Sequence, residues 1–238
     1  MRNSNLERRT AIIGPDTYIY RCSHITMEST CAMDHGPRLV EVSKLAIDIY
    51  PVTNREYAAF LKETEYQPDQ SESFLRHWSN NRRVPNGIEE RPVVWVSTSD
   101  AQAFASWAGR RLPTDEEWQY IAAGPDLLPW PWGREFDSGR CNHDGQELCD
   151  VTSHSSGVSW CGAHDLSGNA WEWTSSTIDD GMHQFALIRG GSFYHGPERW
   201  HIGGGARRCD YHWKIQLMNP GINRAATVGF RCVSEVAS

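Results

Sequence analysis

The chain has 238 residues, 39% of them hydrophobic, with 11 Trp, 20 Gly, 12 Pro and a net charge of −7. That length is ample for a real core, and the acid excess excludes nucleic-acid binding as the main task, because neutralising phosphates needs a basic face. No apolar run reaches the roughly 18 residues of a membrane helix. The opening MRNSNLERRTAIIG is charged and lacks the apolar stretch of a secretory leader, so the expected setting is cytoplasmic, with no membrane and no nucleic acid as partner.

Residues 1–37 read as a polar extension with one strand, Thr17 to Cys22, packed on a single domain over 38–238. Leu39 to Ile49 alternates enough for an edge strand that leads into a turn at Tyr50–Pro51. Thr53 or Asn54 caps an amphipathic helix, NREYAAFLKET, with Tyr57, Phe60 and Leu61 on one face. Pro92 to Ser97 is expected as a short buried strand. A second helix over Thr98 to Gly109 is expected to be capped at its end by Gly109. Thr114 with Glu117 forms a capping box for a third helix that buries Trp118, Tyr120 and Ile121. Residues 133–160 are a surface loop, wrapped round an ion through Asn142. Gly203 to Gly205 reads as a flexible or close-packed turn, since the Lys and Ser/Thr of a phosphate loop are missing.

The seven cysteines are Cys22, Cys31, Cys141, Cys149, Cys161, Cys209 and Cys232. In a reducing compartment most are buried thiols. Cys22/Cys31 and Cys141/Cys149 could each close a small loop, with connectivity open. No CxxC occurs, so a structural zinc site is not expected.

The stretch that organises the rest is GAHDLSGNAWEWTSS, Gly162 to Ser176. Asn169 and Glu172 lie among Trp171 and Trp173 there. A bare carboxylate and amide between indoles cost several kcal/mol to bury. Structural Ca²⁺, which takes carboxylate and carbonyl oxygens, is one partner for them. The alternative makes Asn169 a turn residue and pairs Glu172 with an arginine.

With LIRGGSFY at Leu187 to Tyr194 and VGFRC at Val228 to Cys232, this stretch resembles the C-terminal half of the formylglycine-generating enzyme (sulfatase-modifying factor) superfamily. IDIYPVTNREYAAFL, RPVVWVSTSDAQAFASWAGRRLPTDEEWQYIAAG and WPWGREFDSGRCN resemble its N-terminal half, in family order from about residue 38 to 233. The resemblance implies an α+β, irregular single domain of C-type-lectin-like topology with little regular secondary structure.

Copper-dependent members of that superfamily carry S-W-x-C-x4-C after GGS, two thiolates that suit Cu(I). The same frame here reads Ser192-Phe193-Tyr194-His195-x4-Trp200, so both thiols are gone. Copper–thiolate conversion of a sulfatase cysteine is therefore not carried over. Residues 195–212 hold His195, His201, Asp210 and His212, and two imidazoles with a carboxylate make a non-heme iron ligand set. Other branches, the ergothioneine sulfoxide synthases and pyoverdine-maturation proteins, are associated with iron or oxidative chemistry, although the H-x3-H-x-E of the first is absent. The expectation is a metal-dependent oxidoreductase on a small molecule or peptide, using iron first and copper second. Ser192 and Tyr194 line its pocket, Trp200 walls it, and the apolar Trp213 to Met218 forms a lid or a partner-binding ridge. The rival expectation is a non-catalytic C-type-lectin-like binding module, such as a retroelement-diversified variable protein. It would offer a surface over residues 193–228 to a protein partner.

Overall fold

The computed structural model describes residues 9–23, 35–78, 82–195, 203–219 and 223–236. Among these, 11 strands and three α-helices alternate with long loops. β1 (Thr10–Ile13), β4 (Leu45–Asp48) and β11 (Val233–Glu235) form an antiparallel sheet with β4 central, so the two ends of the described chain meet in one sheet. β2 (Asp16–Tyr20) pairs with β3 (Arg38–Val42). The long edge strand expected over Leu39 to Ile49 is thus two strands, parted at Ser43–Lys44, each joined to a different partner.

The larger sheet has the order β10 (Val228–Gly229), β5 (Trp171–Asp179), β6 (Gln184–Arg189), β9 (His212–Gln216). β10 runs parallel to β5, and the other pairs are antiparallel. A two-residue ladder, β7 (Gly191–Ser192) with β8 (Gly205–Ala206), extends from its end. Gly204 fits there because a Cβ on it would sit 1.3 Å from the Tyr194 carbonyl oxygen, so of the flexible and close-packed turns the sequence allows, the triplet is the close-packed one.

α1 (Asn54–Thr64), α2 (Thr98–Trp107) and α3 (Asp115–Ala123) each open on a complete capping box, at Thr53/Glu56, Ser97/Asp100 and Thr114/Glu117. α1 and α2 lay Tyr57, Phe60 and Phe104 against Trp171, Trp173 and Phe230 from the larger sheet and its neighbour. α3 covers a second core with Tyr20, Ile47, Trp118 and Ile121. Aromatic rings dominate both cores, and their polar edges are satisfied: Trp173 donates to the Val96 carbonyl at 3.0 Å and Trp171 to that of Gly203 at 2.9 Å.

Three further expected elements differ. Pro92 to Ser97 is buried but is not a strand, since Trp95 turns through φ 58° and its N–H donates to Ala225 rather than along a ladder. Trp213 to Met218 is not a lid. Most of it is β9, and Trp213, Ile215 and Leu217 pack on the main core. α2 ends at Trp107 with Ala108 as its cap, while Gly109 takes the following left-handed turn at φ 68°. No helix among the described residues is long and apolar enough to cross a membrane.

Candidate functional site

Arg189 ends β6 and His212 begins β9, and the two are register partners. Their side chains therefore leave the sheet on one face, where the first turn of α3 covers them. Asp115, the first residue of α3, meets both. Arg189 donates through Nε to Asp115 Oδ1 at 2.6 Å and through its terminal nitrogen to Oδ2. Tyr20 from β2 donates to Oδ2 at 2.7 Å, and His212 Nδ1 lies 3.3 Å from the same oxygen. Arg189 spends its remaining donors on the carbonyls of Cys209 and Tyr211. Asp115, Arg189, His212 and Tyr20 are all at most 1% exposed.

Burial alone would push the Asp115 carboxyl up, but the Arg189 guanidinium and His212 reverse this and hold it far below the usual carboxylate range. Burial likewise opposes charge on His212; the hydrogen bond to Asp115 and the adjacent Cys22 thiol outweigh it, so its pKa is raised. With Nδ1 committed to Asp115, Nε2 of His212 is buried and makes no hydrogen bond. A group in that state costs roughly 1–3 kcal/mol.

Two further side chains approach the His212 ring. Cys22 follows β2 and His35 precedes β3, and the Cys22 N–H donates to the His35 carbonyl at 2.7 Å, which continues the β2–β3 ladder outward. Gly36 makes this approach possible, because a Cβ there would lie 2.3 Å from the Tyr20 carbonyl oxygen. The His35 and His212 ring centroids are 5.9 Å apart.

The residues singled out by sequence fall elsewhere, His212 apart. Ser192 is 1% exposed and its Oγ has no hydrogen-bond partner. Tyr194 is 42% exposed. His195 is exposed beside Gly205, and Trp200 and His201 lie outside the described residues. Asp210 is held by Arg208 at 2.9 Å, and its carbonyl accepts from the Ser23 N–H. Neither His195 nor Asp210 joins His212 in a ligand cluster among the described residues. Among the described residues, an exposed loop imidazole and an arginine-bound carboxylate do not converge on the imidazole under α3, so His195 and Asp210 do not form that set with His212.

The calcium reading of Glu172, Asn169 and Asn142 is also corrected. Arg231 grips Glu172 bidentately at 2.6 and 2.7 Å, and Trp118 Nε1 donates to it at 2.7 Å. Asn169 is a turn residue at φ 59°. Its Oδ1 accepts from the Cys149 N–H at 3.0 Å and from Asn142 Nδ2 at 3.3 Å, and its Nδ2 donates to Asp165 at 2.9 Å. These groups staple the 141–149 loop to the 165–169 turn, and Cys141 and Cys149 within them are unbridged thiols. Cys31 lies outside the described residues.

The Cu(I) of the copper-dependent enzymes does not fit the frame that begins at Ser192. The residue at its first thiolate position is an exposed imidazole. Cys209, the next thiol along the chain, is 1% exposed, and burial raises its pKa far above the usual thiol range.

The family description "Sulfatase-modifying factor enzyme 1-like domain" matches residues 21–236. The mouse protein named inactive C-alpha-formylglycine-generating enzyme 2 is 31% identical over 84% of this chain and 78% of its own length. The formylglycine-generating enzyme of Thermomonospora curvata is 30% identical over 84% of this chain and 85% of its own. The hercynine oxygenase of Mycobacterium tuberculosis is 31% identical, over 63% of this chain and 42% of its own length. Among solved structures, CarF superposes with a TM-score of 0.70 at 17% identity, over 98% of this chain and 100% of that one.

Proposed function

The chain belongs to the sulfatase-modifying factor enzyme 1-like family, and we propose that within it the protein is a metal-dependent oxidoreductase acting on a small molecule or peptide, rather than a copper formylglycine generator. The observation that carries this reading is His212. Its imidazole is fully buried, its Nδ1 is fixed by Asp115, and its Nε2 is left without a hydrogen bond. A carboxylate–histidine pair of this kind orients the free nitrogen and raises its basicity toward a metal. The similarity to a hercynine oxygenase supports oxidative chemistry. The loss of the thiol at His195 argues against copper chemistry in the family's usual frame.

In this reading the chain's own groups bind and orient. Asp115 fixes the His212 ring through Nδ1, and Arg189 fixes Asp115 in turn. A bound redox metal would supply the electron transfer.

One observation favours the binding-module reading. Trp130 and Trp132 stack at 5.9 Å, with Phe136 at 4.8 Å from Trp130 and 44% exposed. Such a patch suits the recognition of a partner.

The test is redox cycling of the metal-loaded protein. Iron-reconstituted protein is expected to give a ferric electron-paramagnetic-resonance signal on oxidation that dithionite removes. With Cu(I) and a Cys-containing sulfatase peptide, mass spectrometry is expected to find no aldehyde. A protein that holds no redox-active metal, or that forms the aldehyde, contradicts the reading.

A further inference from the structure

We propose that Cys22, His35 and His212 bind one divalent transition-metal ion through a thiolate and two imidazoles, with Asp115 as the positioning residue behind His212. The proposal rests on the metal-dependent reading above and supplies the ligand set that the sequence alone placed wrongly. Cys22 follows β2, His35 precedes β3 and His212 begins β9, so two neighbouring segments meet a third from far along the chain.

One ligand atom from each residue lies within 4.8 Å of both others. An ion at the centre of such a triangle would sit at most about 2.8 Å from each atom, so rotamer shifts of about half an ångström reach the 2.0–2.3 Å of metal–nitrogen and metal–sulfur bonds. His212 presents Nε2 there, since Nδ1 belongs to Asp115. Cys22 and His212 are buried and His35 is half-buried, so the open side of the site lies toward His35.

The chemistry of the set selects the ion. One thiolate and two imidazoles suit Fe²⁺, Co²⁺ or Zn²⁺ and not Mg²⁺ or Ca²⁺, which take oxygen ligands. Three protein ligands leave a fourth position for water or substrate, as in catalytic sites, whereas structural sites use four. The local charge closes as well. A divalent ion with one thiolate carries +1, and Asp115 with Arg189 adds zero, so the buried centre holds a single net charge. Binding requires the Cys22 thiol to lose its proton and Nε2 of His212 to carry none, so protons leave as the ion binds and affinity rises with pH. Asp115 acts through His212. It is already saturated by Arg189 and Tyr20, and it touches no ligand position itself.

The experiment uses the full chain stripped with chelator and titrated with Co²⁺, with Mg²⁺ as control. The expected result is one Co²⁺ per chain with a near-ultraviolet thiolate-to-cobalt charge-transfer band. Cys22→Ser should abolish the band. His35→Gln and His212→Gln should each weaken binding, and Asp115→Asn should lower affinity about 10- to 100-fold while keeping the band. Far-ultraviolet circular dichroism establishes that each variant is folded. If Asp115→Asn or His212→Gln fails to fold, Cys22→Ser and the half-buried His35→Gln decide. Cobalt bound without a thiolate band, or Cys22→Ser binding as the parent does, overturns the proposal. Should the site bind Co²⁺ with the band while the iron form refuses to cycle, the site stands and the oxidoreductase reading falls. Should iron cycle equally well in Cys22→Ser, that reading stands and this site is wrong.

Discussion

Two buried carboxylates flank Trp118, and they end differently. Glu172 takes both arms of Arg231 and the Trp118 indole N–H, and Arg231 spends its other donors on the carbonyls of Asp48 and His164. Both carboxylate oxygens of Glu172 and all three guanidinium nitrogens of Arg231 have partners in that cluster. Asp115 takes both arms of Arg189 and the Tyr20 hydroxyl, but its third contact is an imidazole whose far nitrogen makes no hydrogen bond. The same pair of residue types thus builds a closed strut in one place and an arm with an open end in the other. A buried imidazole nitrogen left without a hydrogen bond calls for an explanation, and beside a second imidazole and a thiol a metal ion supplies one.

The largest effect should come from breaking the closed strut. Arg231→Met strands a fully buried Glu172 and should cost about 3–5 kcal/mol, read as the urea midpoint. The double variant Glu172→Gln/Arg231→Met should recover much of that loss, because no charge is left unpaired. Equal losses in the single and double variants would show that packing, not charge, is the strut's contribution.

A smaller effect separates Asp115 from a third buried carboxylate, Asp165. Burial pushes Asp165 up to about 7 despite the hydrogen bond from Asn169. The folded state therefore binds the Asp165 proton more tightly than the unfolded state, and stability from this group falls as pH rises from about 4 to about 7. Asp115 is depressed, so its contribution is present above about pH 4 and is lost as pH falls below that. Asp165→Asn should gain on the parent steadily from pH 5 to about 7 and level off above it in denaturation experiments. A difference that does not change with pH would show that Asp165 stays ionised throughout.

The smallest effect should be none. Because Glu172 is filled by Arg231 and the Asn169 oxygen by Cys149 and Asn142, a calcium-selective chelator should leave the melting midpoint where it was. A drop on chelation, reversed by added Ca²⁺, would restore the ion reading for the Gly162 to Ser176 stretch.

The parts of this molecule that were legible in sequence are local. The capping boxes at Thr53, Thr114 and their partners are written in four consecutive residues, so α1 and α3 could be read directly. The fold was legible because GNAWEW, RGGSF and GFRC resemble blocks of a known superfamily, and the resemblance carried the topology with it. The pairing of Glu172 with an arginine was foreseen as one alternative, but Arg231 lies 59 residues away and no periodicity points to it. The Asp115–His212 contact spans 97 residues, and Asp115 reads in sequence as one more acid in a helix's first turn. The sequence drew attention to His195 through His212 because they crowd one stretch. Strand register then carried His212 under α3 and left His195 at the surface, since β9 pairs with β6 while the frame turns away at Gly190 and Gly191.

The most direct measurement is anomalous diffraction at the cobalt or iron absorption edge from crystals grown with the metal. The account predicts one peak bonded to Cys22 Sγ, a His35 ring nitrogen and His212 Nε2, at about 2.0–2.3 Å from each, with His212 Nδ1 still on Asp115 and no peak at Glu172. A peak at His195, or an ordered structure in which the His212 nitrogen meets no metal under saturating ion, would contradict it.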